Sequence, residues 1–164
     1  MGRLKPLSYR IVQIFIAILI PNVGGLMMFL LLTDKIKEHD GKDRIEPFYA
    51  PPDWFVGVAW ITLYTLMGIS SWRLWMNKKS HDIKIPLLIY FIKLLLNWLW
   101  PLLAFGLDLL LGAIIEMIAL LIFVVVTGAL FYKVDKLSGI LFIPYFAYLT
   151  YATILCIHIY ILNN

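Results

Sequence analysis

Hydrophobic residues along the chain fall into five long runs that are separated by polar stretches. A run of about 20 apolar residues is long enough to cross the hydrocarbon core of a membrane as a helix. The pattern therefore predicts an all-α integral membrane protein, a bundle of five transmembrane helices in one domain. The predicted spans are residues 9–32, 53–75, 85–105, 109–132 and 139–162.

The longest polar stretch, residues 33–52, separates the first two runs and carries nine charged residues, so it must lie in water. It ends in a double proline, Pro51 and Pro52, which cannot continue inside a helix and restricts the path of the chain. Asp53 follows at a position where a carboxylate caps the first helical turn. The second helix is therefore predicted to begin near Trp54.

Composition supports the membrane class and limits the chemistry. Of the 164 residues, 62% are hydrophobic and 15% are charged, which is more apolar surface than a soluble domain of this size buries. Cys156 is the single cysteine, so neither an intramolecular disulfide nor a cysteine-based metal cluster is expected. The histidines lack the spacing of metal ligands, and no residue is predicted to be catalytic.

The Lys and Arg residues lie mainly at the ends of the hydrophobic runs, and the net charge is +4. A nucleic-acid partner is not expected, because nucleic acid is bound by basic residues gathered in one patch. One side of the predicted bundle has nine of these residues and the other has four, which predicts a cytoplasmic N-terminus and an external C-terminus. The nine are Arg3, Lys5, Arg10, Arg73, Lys78, Lys79, Lys84, Lys133 and Lys136, and the four are Lys35, Lys37, Lys42 and Arg44.

Three of the predicted helices carry stripes of aromatic and small residues at helical spacing. Such stripes have two interpretations: they pack against neighbouring helices, or they close around one flat hydrophobic molecule. Pro101 predicts a kink, and the carbonyl that this kink frees is a candidate partner for the amide of Asn97. The stripes consist of Gly57, Trp60, Tyr64 and Gly68 in the second helix, of Lys93, Asn97, Trp100 and Ala104 in the third, and of Tyr145, Tyr148, Ala152 and Cys156 in the fifth.

Two ionisable residues, Lys93 and Glu116, fall inside the predicted spans. A charge at the bilayer centre costs about 2.5–3.5 kcal/mol, so each side chain requires a partner, a cavity or water. The two backbones differ by only about 7 Å in predicted depth, which a lysine side chain can reach across. One interpretation is an intramembrane charge pair of Lys93 and Glu116, and the other is that Lys93 anchors an anionic ligand or carries a proton.

Four motifs follow one another along the chain. They are Pro-x-x-Gly-Gly at residues 21–25, the aromatic sequence that runs from Pro51 to Gly68, residues 96–106 and residues 143–152. Together they resemble the TspO/MBR family of tryptophan-rich sensory proteins and translocator proteins. The resemblance covers nearly the whole chain.

The resemblance implies a protein that binds porphyrins or similar planar hydrophobic ligands between its helices, with a role in transport, sensing or sequestration. It also implies a homodimer in the lipid bilayer and a lid formed by residues 33–52. No cofactor is required, and protoporphyrin IX or a haem-like porphyrin is the expected ligand. We expect an integral protein of a prokaryotic cell membrane. Family ligand-site positions are matched by Pro51, Pro52, Trp60, Tyr64, Asn97, Trp100 and Pro144, and the fifth-helix stripe adds Tyr148, Ala152 and Cys156.

An alternative function is light- or oxygen-dependent degradation of porphyrin, which some members of the family carry out with paired tryptophans. Tyr148 stands where the family has one of these tryptophans, and Cys156 stands where it has an asparagine. Residues 33–52 also lack the tryptophan that is usual there. Binding with weak degradation is therefore the expectation.

Overall fold

The computed structural model describes residues 7–40, 45–78 and 81–163. These ranges contain six α-helices and no β-strand, and a π-helical turn at Leu102–Gly106 follows the third helix. Five segments are long and apolar enough to cross a membrane, which confirms the predicted all-α bundle of five spans. The helices are α1 (Leu7–Asp40), α2 (Asp53–Met76), α3 (Lys84–Pro101), α4 (Leu110–Val134), α5 (Lys136–Ile140) and α6 (Ile143–Asn163).

Helix α1 extends beyond the hydrophobic run that predicts it. The predicted span ends at residue 32, whereas α1 continues to Asp40. Charged side chains pair along the surface of this extension, where Lys35 Nζ lies 2.9 Å from Glu38 Oε2. Pairs at this spacing stabilise helices in water. The prediction of a loop over residues 33–52 is therefore wrong in its first part, up to Asp40, which is helical.

The antiparallel hairpin of α3 and α4 turns just after Pro101. Proline has no amide hydrogen to donate, and the chain beyond it widens into the π-helical turn Leu102–Gly106. The amide of Leu107 donates to the carbonyl of Leu102 at 2.9 Å. Asp108 then adopts a left-handed backbone conformation with φ of 53°, where the chain reverses before α4. The kink predicted at Pro101 takes the form of this turn.

The fifth predicted span, residues 139–162, is divided by a short turn into α5 and α6. Asp135 caps α5, and its carboxylate accepts a hydrogen bond from the amide of Ser138 at 2.9 Å. The same carboxylate accepts two hydrogen bonds from the guanidinium of Arg73, at 2.8 and 3.0 Å. This ion pair ties the end of α2 to the connection between α4 and α5.

Helices α1 and α2 pack closely because glycines remove side chains from their contact. A Cβ atom added to Gly68 on α2 would lie 2.5 Å from the Cα atom of Ile18 on α1. A Cβ atom added to Gly25 on α1 would lie 2.4 Å from Cε2 of Tyr64 on α2. Small residues let helices approach in this way in membranes. One end of the predicted Trp and Gly stripe is therefore a packing surface.

The remaining helices complete a bundle with α4 between α3 and α6, and with α1 against α2 and α3. The backbones of α2 and α6 make few close approaches, and aromatic side chains fill the space between them. The outer surface is rich in exposed apolar side chains, as expected where lipid replaces water. Fully or almost fully buried residues at the centre include Met67, Leu94, Leu120, Tyr145 and Leu149.

Candidate ligand site between α2, α3 and α6

Trp60 lies at the centre of a cluster of aromatic rings between α2 and α6. Its ring centroid is 5.7 Å from that of Tyr64 on α2. On α6, the centroids of Tyr145 and Tyr148 lie at 6.3 and 5.6 Å from it. Centroid distances of about 4.5–7 Å with tilted or edge-to-face rings are typical of favourable aromatic contacts. The rings therefore connect two helices whose backbones stay apart.

Asn97 on α3 joins this cluster through two hydrogen bonds. Its Nδ2 donates to the hydroxyl of Tyr64 at 2.5 Å, and its Oδ1 accepts from the hydroxyl of Tyr145. All three side chains are buried, so the amide links α2, α3 and α6 inside the bundle. The predicted hydrogen bond between the side-chain amide of Asn97 and a carbonyl freed at Pro101 is wrong. Both polar atoms of this amide form hydrogen bonds with tyrosine hydroxyls instead.

Lys93 lies about one turn before Asn97 on α3, and no part of its side chain is exposed. Its Nζ contacts the Sδ atom of Met67 on α2. The same atom lies 4.0 Å from the ring centroid of Tyr145 and 5.3 Å from that of Phe142. The face of an aromatic ring attracts a cation, and this attraction is stronger away from water. Lys93 is therefore held by rings and a thioether.

Glu116 on α4 is also buried, and neither of its carboxylate oxygens has a hydrogen-bond partner among the described residues. The predicted charge pair of Lys93 and Glu116 is therefore not formed, and that prediction is wrong. The reason is the direction of the lysine side chain, which extends from α3 toward Met67 on α2 and Tyr145 on α6. Their similar depth in the membrane does not make the two charged groups meet.

The chain segment just before α2 contacts α6 from the middle of this helix to its C-terminal end. The Tyr49 hydroxyl lies 2.8 Å from His158 Nδ1, and the Tyr151 hydroxyl donates to the carbonyl of Tyr49 at 2.8 Å. Ile45 and Asn163 exchange two hydrogen bonds between backbone and side-chain amide, each of 3.0 Å. These contacts fix residues 45–49 against the end of the bundle where α2 begins.

A series of rings connects this segment to the aromatic cluster. The ring of Tyr49 lies 6.4 Å from that of Tyr151, which lies 6.2 Å from that of Tyr148. Tyr49, Tyr151 and His158 are not among the predicted site residues. Helical spacing offers a signal for two of them, because Tyr148, Tyr151 and His158 recur on one face of α6. No periodicity signals Tyr49, since it lies outside the helices.

Three other predicted site residues are not joined to the aromatic cluster by the contacts described above. Trp100 is partly buried, and its ring contacts that of Phe105 at 5.5 Å. Ala152 and Cys156 on α6 are also partly buried, and they pack against the core. These three residues lie beside the buried core, whereas Trp60, Tyr64, Asn97 and Tyr148 are joined by the ring contacts and hydrogen bonds described above.

The three predicted prolines lie at the starts of helices. Pro51 is partly buried and Pro52 is exposed, directly before the first residue of α2. Pro144 is exposed in the first turn of α6. The prolines therefore set the path of the chain into α2 and α6, and Pro52 and Pro144 are turned away from the bundle interior.

A separate lateral groove of about 320 Å³ opens between α1, α2 and α3. Along α2 it begins at Ser71, which lies about 16 Å beyond Trp60 at the rise of a helix. The groove is therefore distinct from the aromatic cluster. Its lining residues are Gln13, Ile16, Ala17, Ile20, Ser71, Trp72, Trp75, Leu87, Tyr90 and Phe91.

The model of the TspO/MBR family matches residues 17–162, a region that includes the whole aromatic cluster. The chain belongs to the TspO/MBR family. Its five segments of membrane-spanning length make it, like its family, an integral membrane protein. The resemblance read from the four sequence motifs is thereby confirmed.

Relatives within the TspO/MBR family come from archaea, bacteria and mammals. The chain is 38% identical over 118 residues to the tryptophan-rich protein TspO of Archaeoglobus fulgidus, covering 72% of this chain and 76% of the relative. It is 35% identical over 119 residues to protein CrtK of Rhodobacter capsulatus, with coverage of 72% and 74%. It is 31% identical over 140 residues to the translocator protein of Sus scrofa, with coverage of 84% and 82%.

Proposed function

We propose that this protein binds porphyrins or similar planar hydrophobic ligands within its helix bundle, in a transport, sensing or sequestration role. The observation that carries the proposal is the cluster of rings around Trp60, which spans the space between α2 and α6. The names of relatives support a sensing or transport role, since they include a tryptophan-rich sensory protein and translocator proteins.

The chemistry of the cluster suits a flat macrocycle. Ligand sites are mostly apolar and aromatic, and a few polar groups orient the ligand. Here the rings of Trp60 and Tyr148 offer π faces, and the amide of Asn97 lies behind Tyr64 and Tyr145. Because side chains and not packed backbones fill the space between α2 and α6, a ligand can replace ring contacts without separating the helices.

Lys93 adds a basic group to this site. Its Nζ atom lies 4.0 Å from the ring centroid of Tyr145, and Glu116 does not contact it. A carboxylate of a bound porphyrin would supply an opposite charge, and ion pairs are strongest where water is excluded. Lys93 is therefore the proposed partner for an acidic substituent of the ligand.

The segment of residues 45–49 is the proposed lid. It covers the end of the ring series, and the hydrogen bonds from Tyr49 to His158 and between Ile45 and Asn163 hold it on α6. Entry of a ligand from this end of the bundle would require these bonds to break. They are partly or fully exposed to water, which makes each of them easy to exchange.

Degradation of the bound porphyrin is the second candidate function, and the contact between Trp60 and Tyr148 favours it, since both rings are oxidisable. A phenol loses its proton when it is oxidised, so rapid oxidation of Tyr148 requires a proton acceptor. The Tyr148 hydroxyl makes no hydrogen bond to another residue in the described ranges. We therefore propose binding as the main activity, with no required cofactor.

A homodimer in the bilayer is the proposed assembly. Much of α1 faces outward with large apolar side chains, such as Phe15, Leu19 and Leu30. A second copy of the chain or lipid can cover this surface.

Titration of protoporphyrin IX into the purified protein, followed by tryptophan fluorescence, tests the proposal. Wild type is compared with Trp60→Phe and with Trp75→Phe, which changes an exposed indole at the other end of the same helix. We expect Trp60→Phe to weaken binding about fivefold, the effect of losing roughly 1 kcal/mol of aromatic contact. Trp75→Phe should bind as wild type does.

Other outcomes redirect the proposal. Equal affinity in all three proteins would remove Trp60 from the site. A loss confined to Trp75→Phe would place the porphyrin in the lateral groove instead of the aromatic cluster. Rapid conversion of the porphyrin by illuminated wild type into a defined product would favour the enzymatic alternative.

A further inference from the structure

The lateral groove between α1, α2 and α3 has a basic residue near its end on each of its three walls. Each of these residues is three positions from a residue that lines the groove, always toward the side of the membrane that holds the N-terminus. On α1 and α3 the pairs are Arg10 with Gln13 and Lys84 with Leu87, and residues three positions apart share one face of a helix. The third pair is Trp75 at the end of α2 with Lys78, which lies in the turn that follows Met76.

These three basic side chains are available to an anion. All three are exposed, and in the described part of the chain none of them forms an ion pair. Lys78 Nζ lies 3.6 Å above the ring centroid of Trp75, which holds it directly over a residue of the groove. The neighbouring acid, Asp82, accepts a hydrogen bond from the amide of Lys84 at the start of α3. Of the residues discussed here, all of them in the described ranges, three are basic and only Asp82 is acidic.

The interior of the groove suits a hydrocarbon chain. Small-molecule sites have volumes of about 300–1,000 Å³, and 320 Å³ lies at the lower end of this range. The lining is almost entirely apolar. Three buried polar atoms of the lining residues have no hydrogen-bond partner among the described residues: Gln13 Oε1, the Tyr90 hydroxyl and Trp72 Nε1. The Nε1 of Trp72 is a donor. The ester carbonyl of a lipid is an acceptor that would satisfy it.

We propose that the groove binds one anionic phospholipid from the leaflet on the N-terminal side. Its phosphate lies among Arg10, Lys78 and Lys84, and one acyl chain lies along the groove beside Trp72. Basic residues at the membrane surface attract anionic headgroups, and basic pockets between transmembrane helices bind them specifically. A zwitterionic lipid lacks the net charge that this cluster selects. The site is separate from the proposed porphyrin site.

Lipid exchange measured by native mass spectrometry tests the headgroup contact. The protein is reconstituted in nanodiscs of phosphatidylcholine with increasing phosphatidylglycerol, and the bound lipid is counted after release. Lys78→Gln with Lys84→Gln is compared with Lys133→Gln and Lys136→Gln, which removes two exposed charges from the same side of the membrane outside the groove. We expect wild type and the second variant to retain one phosphatidylglycerol molecule.

The first variant should lose about fivefold in affinity per lysine, or about 25-fold for both. An equal loss of phosphatidylglycerol affinity in the two double variants would show that only the general surface potential attracts the lipid, and it would overturn the proposed headgroup site. Retention of phosphatidylcholine as well as phosphatidylglycerol by wild type would overturn the selection for charge. Retention of no lipid by wild type would overturn the proposal as a whole.

A second measurement tests the acyl chain. Phosphatidylglycerol with brominated acyl chains quenches the fluorescence of indoles that it contacts. At low phosphatidylglycerol content, bromine should quench tryptophan fluorescence less in Trp72→Phe than in wild type, because the indole of Trp72 lies at the groove. Unchanged quenching in Trp72→Phe would overturn the placement of the chain, even if the headgroup contact is found.

Discussion

The Nζ atom of Lys93 lies 4.0 Å from the ring centroid of Tyr145, although the carboxyl group of Glu116 is buried in the same bundle. Lys93 on α3 therefore contacts α6 across the interior of the bundle, and it does not contact Glu116 on the neighbouring helix α4. Within the described part of the chain, neither ionisable group has a partner of opposite charge. Because burial of an unpaired ionisable group is unfavourable, both residues cost stability in the ligand-free protein.

A double-mutant cycle on Lys93 and Glu116 checks this relationship. Lys93→Met keeps about the same side-chain length and removes the buried amine, so the free energy of unfolding should rise by roughly 1–3 kcal/mol. The effect of Lys93→Met combined with Glu116→Gln should equal the sum of the single effects within about 0.5 kcal/mol. Reversible unfolding in mixed micelles measures these values, and Lys133→Met serves as an exposed control. A coupling energy well above this limit would show that the two residues meet.

Acidification should weaken the contact between α2 and α5 through Asp135. The hydrogen-bonded guanidinium of Arg73 lowers the pKa of Asp135 to about 2, from an ordinary value of 3.8. A carboxyl group with a lowered pKa stabilises the fold above its unfolded-state pKa, and this stabilisation is lost as the pH falls through the folded-state value. Unfolding measured from above pH 3.8 down to about 2 should therefore show a loss of stability in wild type.

Two substitutions separate the cap from the ion pair. Asp135→Ala should lower the free energy of unfolding by about 1–2 kcal/mol, because the cap of α5 and both bonds to Arg73 are lost. Asp135→Asn keeps a capping group and should cost less, and it should remove the dependence on acid in this pH range. Equal costs for the two variants would assign the whole effect to the ion pair.

Adding one methyl group to Gly68 should disturb the packing of α1 on α2. The new Cβ atom would lie 2.5 Å from the Cα atom of Ile18, so one backbone must move. We expect Gly68→Ala to lower the free energy of unfolding by about 1–3 kcal/mol. Gly57→Ala on the same helix is the control, since no atom lies within 4 Å of its added Cβ, and it should be neutral or stabilise by up to about 1 kcal/mol. Equal effects of Gly68→Ala and Gly57→Ala would mean that helix propensity, and not packing between helices, determines the change in the free energy of unfolding.

The uneven distribution of Lys and Arg residues between the two ends of the bundle predicts the orientation of the protein in the membrane. Single-cysteine variants in a Cys156→Ser background are treated with a membrane-impermeant thiol reagent from outside intact cells. Lys37→Cys, in the exposed last turns of α1, should be labelled. Lys78→Cys, at the opposite end of the bundle, should be protected until the cells are opened. The reverse labelling pattern would place the N-terminus outside.

Parts of the candidate site follow from periodicity alone. Trp60 and Tyr64 share a face of α2, and Tyr145 and Tyr148 share a face of α6, because spacings of three and four residues bring side chains together on a helix. That these faces meet each other depends on the packing of the bundle. Tyr49 illustrates the limit, since its contact with His158 joins residues that are 109 positions apart.

The sequence by itself determined the number of membrane spans, their helical class and the family of this protein. Each helix forms its own backbone hydrogen bonds, and its apolar length needs only to match the thickness of the membrane. The number and the helical class of the spans therefore depend on local sequence. The tertiary structure alone decided which groups surround Lys93, Glu116 and Asn97. Their environments are formed by side chains from other helices, and the direction in which a lysine extends depends on which of these neighbours lies within reach.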